Sequence, residues 1–202
     1  MFLKFAECVF KKGLIVLAIV VAMTTGCAPS LSNTMRVDVI PPPEAATPRT
    51  FASTVKIHVE RFADSRESDA VAEINGRKVG PDNDVGQIVQ QALEQNFRAR
   101  GAIVSIFEAP ATVSGEVTTW KIHVKPGFPT SMIEGESAIR VKVANEKGEI
   151  VYQGEYSGST SLEHPFPREG AIESVLGGAM RHAIDEVLSD KNLISALEVA
   201  TR

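Results

Sequence analysis

The chain has 202 residues, 44% hydrophobic and 23% charged, with a formal net charge of −4. An acidic balance of this kind lacks the basic footprint that nucleic-acid binding requires. Two cysteines in the whole chain leave no basis for a disulfide framework.

The first element is a signal. Lys4, Lys11 and Lys12 make a positive start, opposed by Glu7, and an apolar run follows from Leu14 to Met23. That run is half the roughly 20 residues a helix needs to cross a bilayer, so it reads as a secretory signal and not as a membrane span. It closes on "TTGC", which resembles the lipobox of bacterial lipoproteins, with Thr24 where Leu is usual. The resemblance implies cleavage between Gly26 and Cys27, a diacylglycerol on the Cys27 thiol, and an acyl chain such as palmitate on its amino group. The bland alternative is an ordinary signal peptide followed by a chance cysteine. An anchor of several chains is physically sufficient, because each buried CH₂ contributes about 0.8 kcal/mol and stable attachment takes more than one chain. Ala28 follows the cysteine. In such lipoproteins Asp there retains the protein in the inner membrane, and Ala implies the outer membrane, with the periplasmic face of the inner membrane as the second choice. Processing removes Cys8 and leaves an acidic mature chain with no free thiol.

Three regions follow: 1–26 signal, 27–50 lipidated cysteine and tether, and 51–202 folded domain. "PPPEAATP" (41–48) favours an extended, polyproline-II-like linker. "MRVDVI" (35–40) alternates like a strand and is a candidate edge strand within the tether. In "STVKIHVERF", Val55, Ile57 and Val59 face one way and Lys56, His58 and Glu60 the other, which predicts a half-buried strand. "RFADSRESD" (61–69) reads as a polar loop, in which Asp64 and Arg66 either pair to shape the turn or contact a partner. "VAEI" and "RKV" flank Asn75-Gly76 as a hairpin.

Asp82, Asn83 or Asp84 caps a helix whose Val85, Ile88, Val89, Ala92, Leu93 and Phe97 follow helical spacing up to Gly101. "AIVSIF" (102–107) is expected to be a strand. In "TVSGEVTTWKIHV" (112–124) the apolar parity changes from Val113 and Val117 to Trp120 and Ile122, predicting a bulge near Thr118-Thr119. With 131–144 and 149–161 this segment is expected to form an antiparallel meander. Pro165 and Pro167 mark the next helix start. From Ile172 to Leu188 the apolar residues recur at three and four, and Gly177-Gly178 implies close approach to the sheet. "LISALEVA" (193–200) makes a short last helix. The expected fold is α+β: an antiparallel sheet with two main helices packed on one face, after a lipidated, flexible tether.

No catalytic constellation emerges. His58, His123, His164 and His182 lie far apart in sequence; His58 and His123 can be neighbours only across the sheet, without metal spacing. There is no G-x-S-x-G elbow and no phosphate-binding loop. No cofactor or metal is expected. Phe128 and Phe166 sit between prolines in loops, as contacts for protein or lipid or as plugs at the ends of the sheet. Lys56, His58, Lys121, His123, Arg140 and Lys142 form a partly basic outward strip suited to an acidic partner; Arg140 and Lys142 are its candidate contacts.

"FADSR", "IVQQALEQNFRARGAIV" (88–104), "AIRVKVANEKGEIVYQGEYSGS" and the tail "AIESVLGGAMRHAIDEVLSDKNLISAL" together resemble the YajG-type lipoproteins of Gram-negative bacteria. That resemblance implies an outer-membrane lipoprotein facing the periplasm, with no assigned enzymatic activity. The expected role is non-catalytic binding or scaffolding of another envelope protein, with the membrane reached through Cys27. The arrangement is also similar to the lipoprotein that helps assemble the lipopolysaccharide transporter, so an accessory role in lipid transport is the specific variant. A cell-wall-acting enzyme is the remaining alternative.

Overall fold

The computed structural model describes residues 34–37, 51, 54–74, 76–107 and 109–201. The Gly26–Cys27 cleavage and lipidation site and the proline run 41–48 lie outside the described residues. In chain order the elements are β1 (Thr34–Met35), β2 (Lys56–Val59), β3 (Ala63–Asp64), β4 (Ala72–Ile74), β5 (Arg77–Pro81), α1 (Val85–Ala99), β6 (Ile103–Val104), β7 (Ala111–Lys125), β8 (Ser131–Asn145), β9 (Ile150–His164), α2 (Glu169–Ser189) and α3 (Lys191–Ala200).

The meander β7–β8–β9 is the frame. Each strand has fifteen residues, and the two pairings are antiparallel throughout. The ladder slips between Val117 and Thr119, so the bulge lies where the parity of the sequence changes. The slip keeps Val113 and Val117 before it, and Trp120 and Ile122 after it, in the core. A second slip falls at Val151 in β9, just before Tyr152, since Val143 pairs with Tyr152 and Ala144 with Ile150.

The fold is α+β as expected, and the antiparallel meander is extended by parallel strands into a mixed sheet. β2 lies parallel between β6 and β7, and β3 also pairs parallel with β7. The 61–69 segment is therefore not wholly loop: Ala63 and Asp64 pair with Glu116 and Val117. The strand expected over 102–107 shrinks to Ile103–Val104, because Ile106 and Phe107 turn out into solvent, 74% and 75% exposed. A second sheet runs β1–β5–β4. Its hairpin turns at Gly76 with φ 75°, as Asn75-Gly76 predicts. Thr34 and Met35 pair with Gly80 and Pro81, and Met35 and Val37 are buried. The start of the stretch read as a tether or edge strand is thus part of the fold.

Both main helices pack on the sheet and touch each other. In α1, Val85, Val89, Ala92, Leu93 and Phe97 are buried. Of the three candidate caps, Asp84 accepts from the Gln87 N–H at 2.9 Å and satisfies an otherwise orphaned donor. Arg61 grips the same carboxylate (Nε–Oδ1 3.1 Å, Nη2–Oδ2 2.5 Å), and this hydrogen bond, with the Gln87 N–H, holds Asp84 below the usual carboxylate range.

α2 buries Ile172, Val175, Leu176, Ala179, Met180, Ala183, Ile184, Val187 and Leu188, the whole periodic set. It begins at Glu169, two residues after Pro167, with Arg168 as a cap that makes no side-chain bond. The close approach expected at Gly177-Gly178 is real at Gly178, where a Cβ would lie 2.9 Å from Thr160 Oγ1. Most of it, however, comes from the strands. A Cβ on Gly158 would lie 2.5 Å from Ala183 N and closer still to the Ala179 carbonyl, and one on Gly135 would lie 2.7 Å from Val175 Cγ1. Two strand residues without side chains let the helix backbone settle onto the sheet. Trp120 then donates its indole N–H to the Leu176 carbonyl at 3.1 Å, and Ser137 bonds the Ala179 carbonyl at 2.9 Å.

Candidate functional site

Three surfaces gather polar or apolar groups beyond what the core needs. The first is the outer face of the sheet. Ladder register sets Glu116 opposite Arg140 and Arg140 opposite Glu155. Arg140 bonds Glu116 at 2.5 Å and approaches Glu155 at 3.9 Å, while Ser65 donates to the other Glu116 oxygen at 2.7 Å. The Ser65 hydroxyl, followed by Arg140, keeps the Glu116 carboxyl below its usual range. Lys121 pairs with Glu136 at 3.5 Å and Lys125 with Glu134 at 2.7 Å. The basic strip expected from outward residues is therefore largely laced with carboxylates from neighbouring strands. Pairs of this exposed kind contribute roughly 0–1 kcal/mol each, so they tune the face more than they hold the fold. His58 and His123 are not neighbours: His58 lies opposite Thr112 and His123 opposite Glu134, at opposite ends of β7. His58 Nδ1 is instead 3.1 Å from the Ser105 carbonyl.

Beside this face, Asp64 and Arg66 bond each other twice at 2.8 Å, and the Arg66 N–H also approaches Asp64 Oδ1. The side chain of Arg66 is only 6% exposed. Of the two readings for this pair, the geometry supports a structural clasp: the guanidinium holds the Asp64 carboxyl below its usual range and fixes the exit from β3.

The second surface is a joint that the sequence did not announce. Tyr152 and Tyr156, on the same face of β9, set their hydroxyls 2.8 Å apart, and each is placed to donate its one proton to Asp190 Oδ2, Tyr156 at 2.7 Å. Gly154 lies between them, where a Cβ would meet both hydroxyls. Asp190 also caps α3, accepting from the Asn192 N–H at 2.8 Å. Burial pushes the Asp190 carboxyl up, but the two phenols and the backbone N–H groups outweigh it and the carboxyl stays below the usual range. Burial, with the phenol and carboxylate partners, pushes the Tyr156 hydroxyl strongly up, so it remains a proton donor. The cluster locks the α2–α3 junction to the edge strand. A Tyr-x-Gly-x-Tyr run in a strand is the only sequence signal for it.

An open groove of about 580 Å³ lies along β8 and β9, lined by Glu134, Gly135, Glu136, Ser159, Thr160, Ser161 and His182. Its two carboxylates already hold lysines, and His182 Nδ1 sits 2.6 Å from the Ser159 carbonyl. Among the described residues, no three His, Cys, Asp or Glu side chains converge as a metal site.

The third surface is the loop ends. Phe128 is 99% exposed and Phe166 69% exposed, so neither plugs the sheet. Ser131 pairs with His164, which brings the 126–130 and 165–168 loops to one end of the meander. Ile103, Ile106 and Phe107 are exposed beside the other end, where β6 and β2 reach Ala111. Lys142 lies on the outer face between Ser114 and Gln153.

Among solved structures the chain is similar to protein XCC0632 from Xanthomonas campestris, with a TM-score of 0.54 and 12% identity over 83% of this chain and 98% of that one. It is also similar to a minor lipoprotein from Acinetobacter baumannii, with a TM-score of 0.44 and 12% identity over 71% of this chain and 94% of that one. At such identities the first likeness speaks to the fold alone, and the second carries no argument. No curated protein matches the chain significantly. No helix among the described residues is long and apolar enough to cross a membrane. The model of one family, Lipoprotein_16, described as an uncharacterized lipoprotein, matches residues 42–198. The chain belongs to this family of bacterial lipoproteins.

Proposed function

We propose that the protein is an outer-membrane lipoprotein, held by acyl chains on Cys27 at the periplasmic face, that binds and scaffolds another envelope protein without catalysing a reaction. Within the family it is of the YajG type, supported by "FADSR", which forms the β3 clasp, and by the "SDKNLISAL" tail, which carries the Asp190 joint. One observation carries the binding role. Ile103, Ile106 and Phe107, within five residues of one another, are large apolar side chains exposed to water at 50%, 74% and 75%. Clustered exposed apolar groups mark contact surfaces, and aromatic anchors dominate the energetics of such contacts.

Site-specific crosslinking in intact cells tests this. A photo-crosslinking residue at position 107 is expected to capture one dominant envelope protein, while the same residue at Lys147, in the β8–β9 turn, captures none. Absence of any partner at position 107, together with muropeptide release by the purified protein, would favour a cell-wall enzyme instead.

A further inference from the structure

The two phenylalanine loops have a feature that a protein-binding end does not explain. Residues 126–130 (PGFPT) and 165–167 (PFP) contain no charged side chain, and prolines flank both aromatic rings. Proline fixes φ, so the rings are held outward from stiff loop tips. Charged residues stand at the bases of the loops: Lys125, paired with Glu134 at 2.7 Å, on one, and Arg168 beside Glu169 on the other. Uncharged aromatic tips above a charged rim fit the boundary between water, headgroups and acyl chains, where amphipathic elements bury apolar groups about 5–10 Å deep.

Chain length selects that occupant. β2, β3 and then Val71 run in turn along one edge of β7, meeting Ala111–Val113, Glu116–Val117 and finally Ile122, whose N–H bonds the Val71 carbonyl at 2.6 Å. The β1–β5–β4 sheet therefore lies beside the half of β7 that ends in the Phe128 turn. Thr34, the first described residue, belongs to that sheet. Only residues 28–33 separate it from Cys27. Fully extended, that stretch reaches about 25 Å, whereas the run of β7 from Ile122 back to Ala111 spans about 36 Å. A chain anchored at Cys27 thus cannot stand with its Ala111 end on the membrane and the β1 half raised above it.

We infer that Phe128 and Phe166 form a two-point footing that enters the headgroup layer of the leaflet holding the acyl chains, and turns Ile106 and Phe107 away from the membrane. This rests on the reading of Cys27 as acylated.

The test uses the full-length protein, extracted from membranes in detergent and reconstituted into phosphatidylethanolamine–phosphatidylglycerol vesicles. Phe128→Cys, Phe166→Cys, Phe107→Cys and Lys147→Cys are made singly and labelled with an environment-sensitive dye. Cys8 leaves with the signal and Cys27 is acylated, so the new thiol takes the label. Shallow nitroxide lipids are expected to remove about half of the emission at positions 128 and 166, as insertion into the headgroup boundary requires, and to leave positions 107 and 147 unchanged. Equal emission at all four positions with and without nitroxides, or quenching at position 107 alone, overturns the footing. Intact mass of the same sample separates the two readings. An unmodified Cys27 defeats the anchor, whereas an acylated Cys27 with unquenched labels at 128 and 166 defeats the footing only.

Discussion

Leu176→Asp is expected to abolish the folded state. Leu176 is fully buried in the middle of α2, and its carbonyl accepts the Trp120 indole N–H. Truncation of a buried Leu already costs about 2–5 kcal/mol. An unpaired carboxylate adds a desolvation penalty of several kcal/mol, and total stabilities are only about 5–15 kcal/mol. Among the described residues the buried polar ones are Asn96 and Ser137, and neither is a cation. Far-UV circular dichroism with thermal melting reads the effect. A melting temperature close to that of the unaltered protein would show that the buried face of α2 is assigned wrongly.

Gly158→Val is expected to have the next largest effect, through a different cause. The added Cβ meets the Ala179 carbonyl and the Ala183 N, which are backbone atoms of α2 and cannot rotate aside. The helix must lift off β9, or β9 must bend away from it. Overpacking of this kind costs about 1–3 kcal/mol, occasionally more. The chain has a single tryptophan, and it lies under the same helix, so its emission reports the lift directly. A red shift with a lowered melting temperature is the expected result. Gly154→Ala is the useful comparison, because its Cβ meets only the ends of Tyr152 and Tyr156. It should loosen the Asp190 joint while leaving the Trp120 emission near its starting value. Unchanged emission and melting in Gly158→Val would contradict the close helix–sheet contact.

These two positions also show what was legible in the chain. The face of α2 was readable because burial repeats every three to four residues from Ile172 to Leu188, a period that no strand supplies. The bulge at Thr118 was readable because a strand cannot change the parity of its apolar residues without an extra residue. The Asp84 cap and the Gly76 turn follow from local chemistry alone. By contrast, β1, β3 and β6 are two-residue ladders, too short to carry any alternation, and the parallel pairing of β3 and β6, with that of β2, made the main sheet mixed. Gly158 was unremarkable in a Ser- and Gly-rich strand until the helix above it was placed.

The candidate surfaces divide in the same way. Arg140 and Lys142 were readable as outward-facing, but the pairing of Arg140 with Glu116 and Glu155 depends on register across three strands. The Tyr152–Tyr156–Asp190 joint unites a strand with a helix junction far along the chain. Only Phe128 and Phe166 could be singled out from composition, because proline on both sides of an aromatic residue is itself a local signal of an exposed, stiff tip.

Every statement about the envelope depends on the chemistry of one sulfur atom. Intact-mass spectrometry of the protein extracted from its native membranes tests it most directly. The expected product begins at Cys27 and carries the mass of a diacylglycerol and a further acyl chain. A chain that still begins at Met1, or a free Cys27 thiol, would contradict the account.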